Sequence, residues 1–189
     1  MRRHRASILR RRRVFAGCEG ESERGYIAWL QQVLDVQRRD THLEAVLLKP
    51  GAGDPPAVID LALRRLVERE RAVGERYRMR LVLLDADRRD EAPERRDAAL
   101  HRARAAGLRL IWQEPCHEAF LLRHLPGRAA HRPPTSALAG AALQSLWPDY
   151  AKGMSAARLA ARLGLADLRR ALRVEATLRA FLAALGFRP

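Results

Sequence analysis

The chain has 189 residues, enough for one ordinary domain with a buried core. Although 48% of them are hydrophobic, no apolar run approaches the roughly 20 residues needed to span a bilayer, which excludes a membrane-spanning reading. A formal net charge of +14, from 36 Lys+Arg against 22 Asp+Glu, argues for a polyanionic partner such as nucleic acid.

Almost all of the basic residues are Arg, which grips phosphate in bidentate fashion; Lys49 and Lys152 are the two lysines. The start, Met1 to Arg5, is charged but is followed by no apolar segment, so no secretory signal is expected and a cytoplasmic location is. Two cysteines, Cys18 and Cys116, are too few for a disulfide framework and read as buried thiols.

In chain order, Arg10, Arg11, Arg12 and Arg13 form a basic run, read either as a phosphate-contacting arm or as a solvated flank. Arg13 to Cys18 then reads as a buried strand. Ser22 to Gln37 sets Tyr26, Ile27, Leu30, Val33 and Leu34 at helical spacing. Leu43 to Lys49 is a second strand, and the loop from Pro50 to Pro56 feeds a helix whose apolar face includes Val58, Ile59, Leu66 and Val67. Arg80 to Leu84 is a third strand, with the continuous apolar run of a central parallel strand. A helix over Ala92 to Ala106, a strand over Leu108 to Trp112 and a short helix over Ala119 to Leu125 follow.

This alternation predicts an α/β fold, an open and mostly parallel sheet flanked by helices. Residues 1–125 would form that domain, 126–135 a Pro-rich loop, and 136–189 a helical extension packed on the same domain.

Carboxylates gather where three of the four strands should end. Glu19, Glu21 and Glu23 follow the first, Asp85 and Asp87 the third, Glu114 and Glu118 the fourth. Ligands of open parallel sheets bind at the strands' carboxyl ends. Clustered oxygen donors suit Mg2+ or Mn2+, and no CxxC or HExxH spacing offers a zinc site. In an extended segment, residues two apart point the same way, so Asp85 and Asp87 can face one cation. Any one of these acids alone would read as a helix N-terminal charge, and it is their convergence that favours a metal.

Several motifs in order resemble the RloB-like family. They are Cys18-Glu19-Gly20-Glu21-Ser22-Glu23 with Tyr26, Gly53-Asp54-Pro55, Leu83-Leu84-Asp85-Ala86-Asp87, Pro115-Cys116-His117-Glu118 with Leu121-Leu122-Arg123-His124, and Tyr150-Ala151-Lys152. The resemblance covers most of the chain and implies a Toprim-like catalytic domain of a bacterial defence system, with Mg2+- or Mn2+-dependent phosphodiester cleavage. It carries Glu19, Asp85, Asp87, Glu118 and Lys152 over as catalytic residues, and Glu19, Asp85, Asp87 and Glu23 as metal ligands. His117 stands where the family has an aromatic residue, and the turn after Glu19 is tighter than the family's, which leaves open whether Glu21 or Glu23 reaches the metal.

Arg11, Arg12, Arg13, Arg88, Arg89 and His124 are the candidate contacts to nucleic acid, DNA or RNA. The resemblance also implies an ATPase partner from the same locus, since this sequence carries no phosphate-binding Gly-x-x-x-x-Gly-Lys-Ser/Thr loop. A homo-oligomer is compatible with it. The alternative is a catalytically weak or inactive Toprim-like subunit that binds nucleic acid or nucleotide for a partner. A phosphotransferase with Asp85 as nucleophile fits worse, because its strand is third rather than first.

Overall fold

In a computed structural model, residues 11–49 and 54–188 are described; Arg10 of the basic run and residues 50–53 of the second loop lie outside them. The strands are β1 (Arg12–Cys18), β2 (Thr41–Leu47), β3 (Met79–Asp85) and β4 (Leu108–Gln113). All pair in parallel in the order β2-β1-β3-β4, the open α/β sheet expected from the alternation of elements.

The helices between strands are α1 (Glu21–Val36), α2 (Pro55–Val73) and α3 (Pro93–Ala105), and α4 (His117–Leu122) follows the sheet. The connection through α1 carries the chain from β1 to β2 on one side. The next crosses back over β1 to β3, so the direction of winding reverses between β1 and β3. Their carboxyl ends therefore open a crevice at the point where open α/β sheets bind ligands.

Alternation along the central strands divides the core. Val14, Ala16 and Cys18 of β1 with Leu81 and Leu83 of β3 face α1, α4 and the C-terminal helices. Phe15, Val82 and Leu84 face α2 and α3. Both faces are covered, which is why these strands are apolar without the hydrophobic-polar alternation of a one-sided sheet. Both cysteines are buried free thiols.

The last third of the chain forms four short helices, α5 (Ser136–Leu146), α6 (Ala156–Ala160), α7 (Leu165–Leu172) and α8 (Ala176–Ala184). Leu143, Leu159, Leu168, Leu172, Phe181 and Leu182 join the same apolar cluster as α1. Trp29 of α1 also donates its indole N–H to the carbonyl of Leu163 at 3.2 Å. Among the described residues, no helix is long and apolar enough to cross a membrane.

One contact fixes the position of the segment between α5 and α6. Gly25 of α1 lies so close to it that a Cβ would stand 1.9 Å from the carbonyl oxygen of Met154. Nearby, the amide of Gly153 donates to Ser22 Oγ at 2.9 Å. Gly25→Ala is therefore expected to force the segment off α1, at a cost of about 2 kcal/mol and roughly 4–8 °C in melting temperature. Gly140→Ala in α5, where a Cβ meets nothing within 4 Å, is expected to leave stability equal or higher. Thermal melts of the two variants check both outcomes.

Candidate metal centre

The residues at the crevice are joined by backbone as well as side chains. Glu19 immediately follows β1, and its Oε2 accepts a hydrogen bond from the amide of Asp85 at 3.2 Å. This ties the ends of β1 and β3 together across the winding reversal. Asp85 is the last residue of β3. The next amide, Ala86, donates to the carbonyls of Gln113 (3.1 Å) and Pro115 (2.9 Å), which holds the turn to the end of β4. Asp87 is exposed at the rim, its Oδ2 accepting from Ser136 Oγ of α5 at 2.8 Å.

Glu23, in the first turn of α1, points inward and is 5% exposed. Its Oε2 accepts from the amide of Gly20 at 2.8 Å, and its Oε1 lies 3.4 Å from His117 Nδ1. Glu21 turns outward to Arg24 at 2.6 Å and Lys49 at 4.0 Å. Of the two acids left open by the sequence, Glu23 enters the crevice and Glu21 does not.

Helix α4 begins at His117, two residues before the expected Ala119, and so places Glu118 in its first turn. Glu118 Oε1 accepts from Tyr150 Oη at 3.1 Å and lies 3.6 Å from Lys152 Nζ. Lys152, 83% exposed, reaches over the crevice from the segment held by Gly25.

Electrostatically the centre is defined by an excess of negative charge. The Asp85 carboxyl is pushed up to about 9, first by burial and then by Glu23, Glu19, Asp87 and Glu118. Its Oδ1 is buried and has no hydrogen-bond partner. Burial acts to raise Glu118 as well, but its own backbone N–H, the Cys116 thiol, Lys152 and His117 together bring it below the ordinary value. His117 is lowered by burial against the opposing pull of Glu23 and Glu118. Its Nδ1 is 2.7 Å from the Gln113 amide nitrogen, which accounts for that nitrogen of the ring.

The side chains present fit a hard divalent cation. The donors are carboxylate oxygens, one of them is buried without a partner, and the surplus of negative charge is what a cation would offset. In the structure the carboxylates stand apart: among the described residues no three His, Cys, Asp or Glu side chains converge as a finished ligand set.

Several of the residues expected to contact nucleic acid are placed otherwise. His124 is fully buried, bonded to Tyr26 Oη and the Phe120 carbonyl, both at 3.0 Å, and burial lowers its pKa to about 4. It is a neutral core residue rather than a phosphate ligand. Arg12 and Arg13 belong to β1 itself, at its amino end, a strand length of roughly 20 Å from the acids. Arg13 is held by Glu44 at 2.5 Å with its guanidinium over the Tyr77 ring, and Arg11 pairs with Asp35 at 2.6 Å. Arg88 pairs with Glu91 at 2.7 Å, while Arg89 lies over Trp112 and 3.6 Å from Glu114. The last two are near the crevice but already engaged by acids.

Residues that sequence reasoning did not assign to the site include Tyr150, Gln113 and Ser136. Each acts by holding a carboxylate or its neighbour, and only Tyr150 stood within a recognisable motif.

The raised Asp85 pKa has a consequence for stability. Because the folded value, about 9, exceeds the ordinary 3.8, ionisation favours the unfolded chain. The penalty is absent below about pH 4, grows as pH rises and is complete above about pH 9. In EDTA at pH 8, Asp85→Asn is therefore expected to stabilise the protein by about 2 kcal/mol or more, raising the melting temperature by at least about 4 °C. At pH 4 the difference should vanish. A variant less stable than the parent at pH 8 would contradict the assignment.

No protein-family model, no curated protein and no solved structure matches the chain, so the reading of this centre rests on its residues and their geometry.

Proposed function

We propose that the protein is a divalent-metal-dependent phosphodiesterase acting on nucleic acid, with the crevice between β1 and β3 as its active site. The observation that carries this reading is Asp85, a half-buried carboxylate whose buried Oδ1 has no hydrogen-bond partner, set at the winding reversal in the field of Glu19, Glu23, Asp87 and Glu118. The resemblance to the RloB-like family supports the same chemistry and suggests action in a defence system beside an ATPase.

Glu19, Asp85 and Asp87 would hold Mg2+ or Mn2+, with Glu23 as the further acid able to join them. A bound ion supplies charge stabilisation to the phosphoryl oxygens and an acidified water as nucleophile. Lys152, exposed and 3.6 Å from Glu118, is suited to neutralise the charge that develops on the phosphate. Tyr150 and Glu118 keep it there, since both are anchored in the core and Glu118 is the carboxylate facing Lys152. The Gly20 amide holds Glu23 in one orientation.

Purified protein incubated with Mg2+ or Mn2+ and plasmid, single-stranded DNA or tRNA is expected to cleave at least one of them, and EDTA to stop it. Asp85→Asn should lower the rate by at least about a thousandfold while folding normally, and Lys152→Ala by about a hundredfold. Binding without cleavage by the parent, with and without an added ATPase, would favour the alternative of a nucleic-acid-binding subunit. Cleavage by Asp85→Asn at the parent rate would overturn the active-site assignment.

A further inference from the structure

The positive charge of this chain is unevenly placed. Residues 12–125, from the start of β1 to the end of the α/β part, set 21 Lys+Arg against 19 Asp+Glu, whereas residues 126–189 set 10 against 3. Many arginines of the α/β part are consumed by acids, as in Arg65–Glu68 at 2.9 Å and Arg102–Asp60 at 2.8 Å. In the helical part the balance is different.

Arg158 and Arg162 lie four residues apart, Arg158 within α6 and Arg162 just beyond it. Both are exposed, and both line a groove of about 500 Å3 whose wall includes Trp147, Pro148 and Met154. Arg162 has no side-chain partner among the described residues. The Arg158 guanidinium bonds to the backbone carbonyl of Asp149, at 3.0 Å, and forms no ion pair among the described residues. One carboxylate, Asp149, also lines the groove, so its two guanidinium groups remain in excess. Trp147 is buried, 6% exposed, and serves as wall rather than as a stacking platform.

The groove is connected to the metal centre by a single segment. Pro148 and Met154 line it, and between them Tyr150 and Lys152 extend to Glu118. The same segment is seated on α1 at Gly25. A polyanionic strand lying along the groove would meet Lys152 next and then the acidic crevice. Two exposed guanidinium groups four residues apart, one on α6 and one in the turn that follows it, give the groove a positive wall suited to a phosphate backbone.

We propose that the groove between α5 and α6 is the docking site for the phosphodiester backbone of the nucleic-acid substrate, with Arg158 and Arg162 contacting phosphates on one side of the scissile bond. This rests on the phosphodiesterase reading and moves the binding surface from the amino end of β1 to the helical part of the chain. The argument uses backbone charge alone, so DNA and RNA strands are both candidate occupants and the test separates them.

The test is fluorescence anisotropy in EDTA with labelled single strands of about 20 nucleotides, one DNA and one RNA of the same sequence, long enough to exceed one binding site. Arg158→Glu/Arg162→Glu is compared with Arg64→Glu/Arg71→Glu, an equal charge change at exposed positions of α2 on the other face of the sheet. The α6 pair is expected to weaken binding by about tenfold or more, and to reduce the slope of log affinity against log salt by about 1.4, the value for two single-strand phosphates. The α2 pair should change affinity by less than about threefold.

Equal weakening by both pairs, unchanged binding by the α6 pair, or no binding of either probe by the parent would overturn the proposal. Melting curves check folding; should the Glu pair melt early, Arg158→Gln/Arg162→Gln replaces it under the same criteria. Because no metal is present, the result is independent of turnover. Loss of binding in the α6 pair with no cleavage by the parent would overturn only the phosphodiesterase reading. Intact binding by that pair with cleavage by the parent would overturn only the groove.

Discussion

An uncompensated carboxylate at the end of a buried strand is the constraint on which the rest of this structure depends. Asp85 can be buried only because β3 is central and covered on both faces, and its Oδ1 is left without a partner where four other acids approach. Burying ionised oxygen costs several kcal/mol unless something pairs with it. Burial and the neighbouring acids lift the Asp85 carboxyl to about 9, so that it keeps its proton at neutral pH rather than meeting that cost. Under the proposed function, such a site trades stability for affinity towards a cation.

The surrounding architecture serves to keep that arrangement in place. The reversal of winding between β1 and β3 opens the crevice, and the Glu19–Asp85 backbone bond closes the gap between the two strand ends. Helix α1 contributes Glu23 from its first turn and, two residues later, the bare Gly25 surface on which the Lys152 segment rests. Helix α4 contributes Glu118, held by Tyr150 from the far end of the chain. The helical part of the sequence is thereby part of the centre, and its hydrophobic residues share one cluster with α1 and β1.

The two central strands were readable from local pattern because each carries an uninterrupted apolar run followed by acid or turn residues. β3, with Leu81 to Leu84 buried on both faces, is the clearest case. Glu19, Asp85 and Asp87 were readable for the same reason, since a strand's end fixes where the next side chains lie. The errors arose where tertiary packing decides. His124 sits in a sequence with a polar, motif-like appearance, yet it lies in the turn just past α4, with its ring packed among Tyr26, Trp29 and Phe120. Arg10 to Arg13 read equally as a phosphate-contacting arm or a solvated flank, and the strand expected from Arg13 begins one residue earlier, because a basic run carries no local sign of the pairing with β2 that draws it into the sheet. Gly25 gave no signal at all, because the carbonyl that requires it comes from Met154, far along the chain.

The proton held by the acidic cluster gives the account its most direct test. Calorimetric titration of Mn2+ into the metal-free protein, repeated at one pH in buffers of different ionisation enthalpy, counts protons released per ion bound. With the Asp85 carboxyl near 9, about one proton should be released at pH 7, falling towards none above about pH 10. Saturable binding with that pH dependence is the predicted result. No binding, or binding with no proton release at pH 7, would contradict the claim that a buried, protonated Asp85 is the seat of the metal.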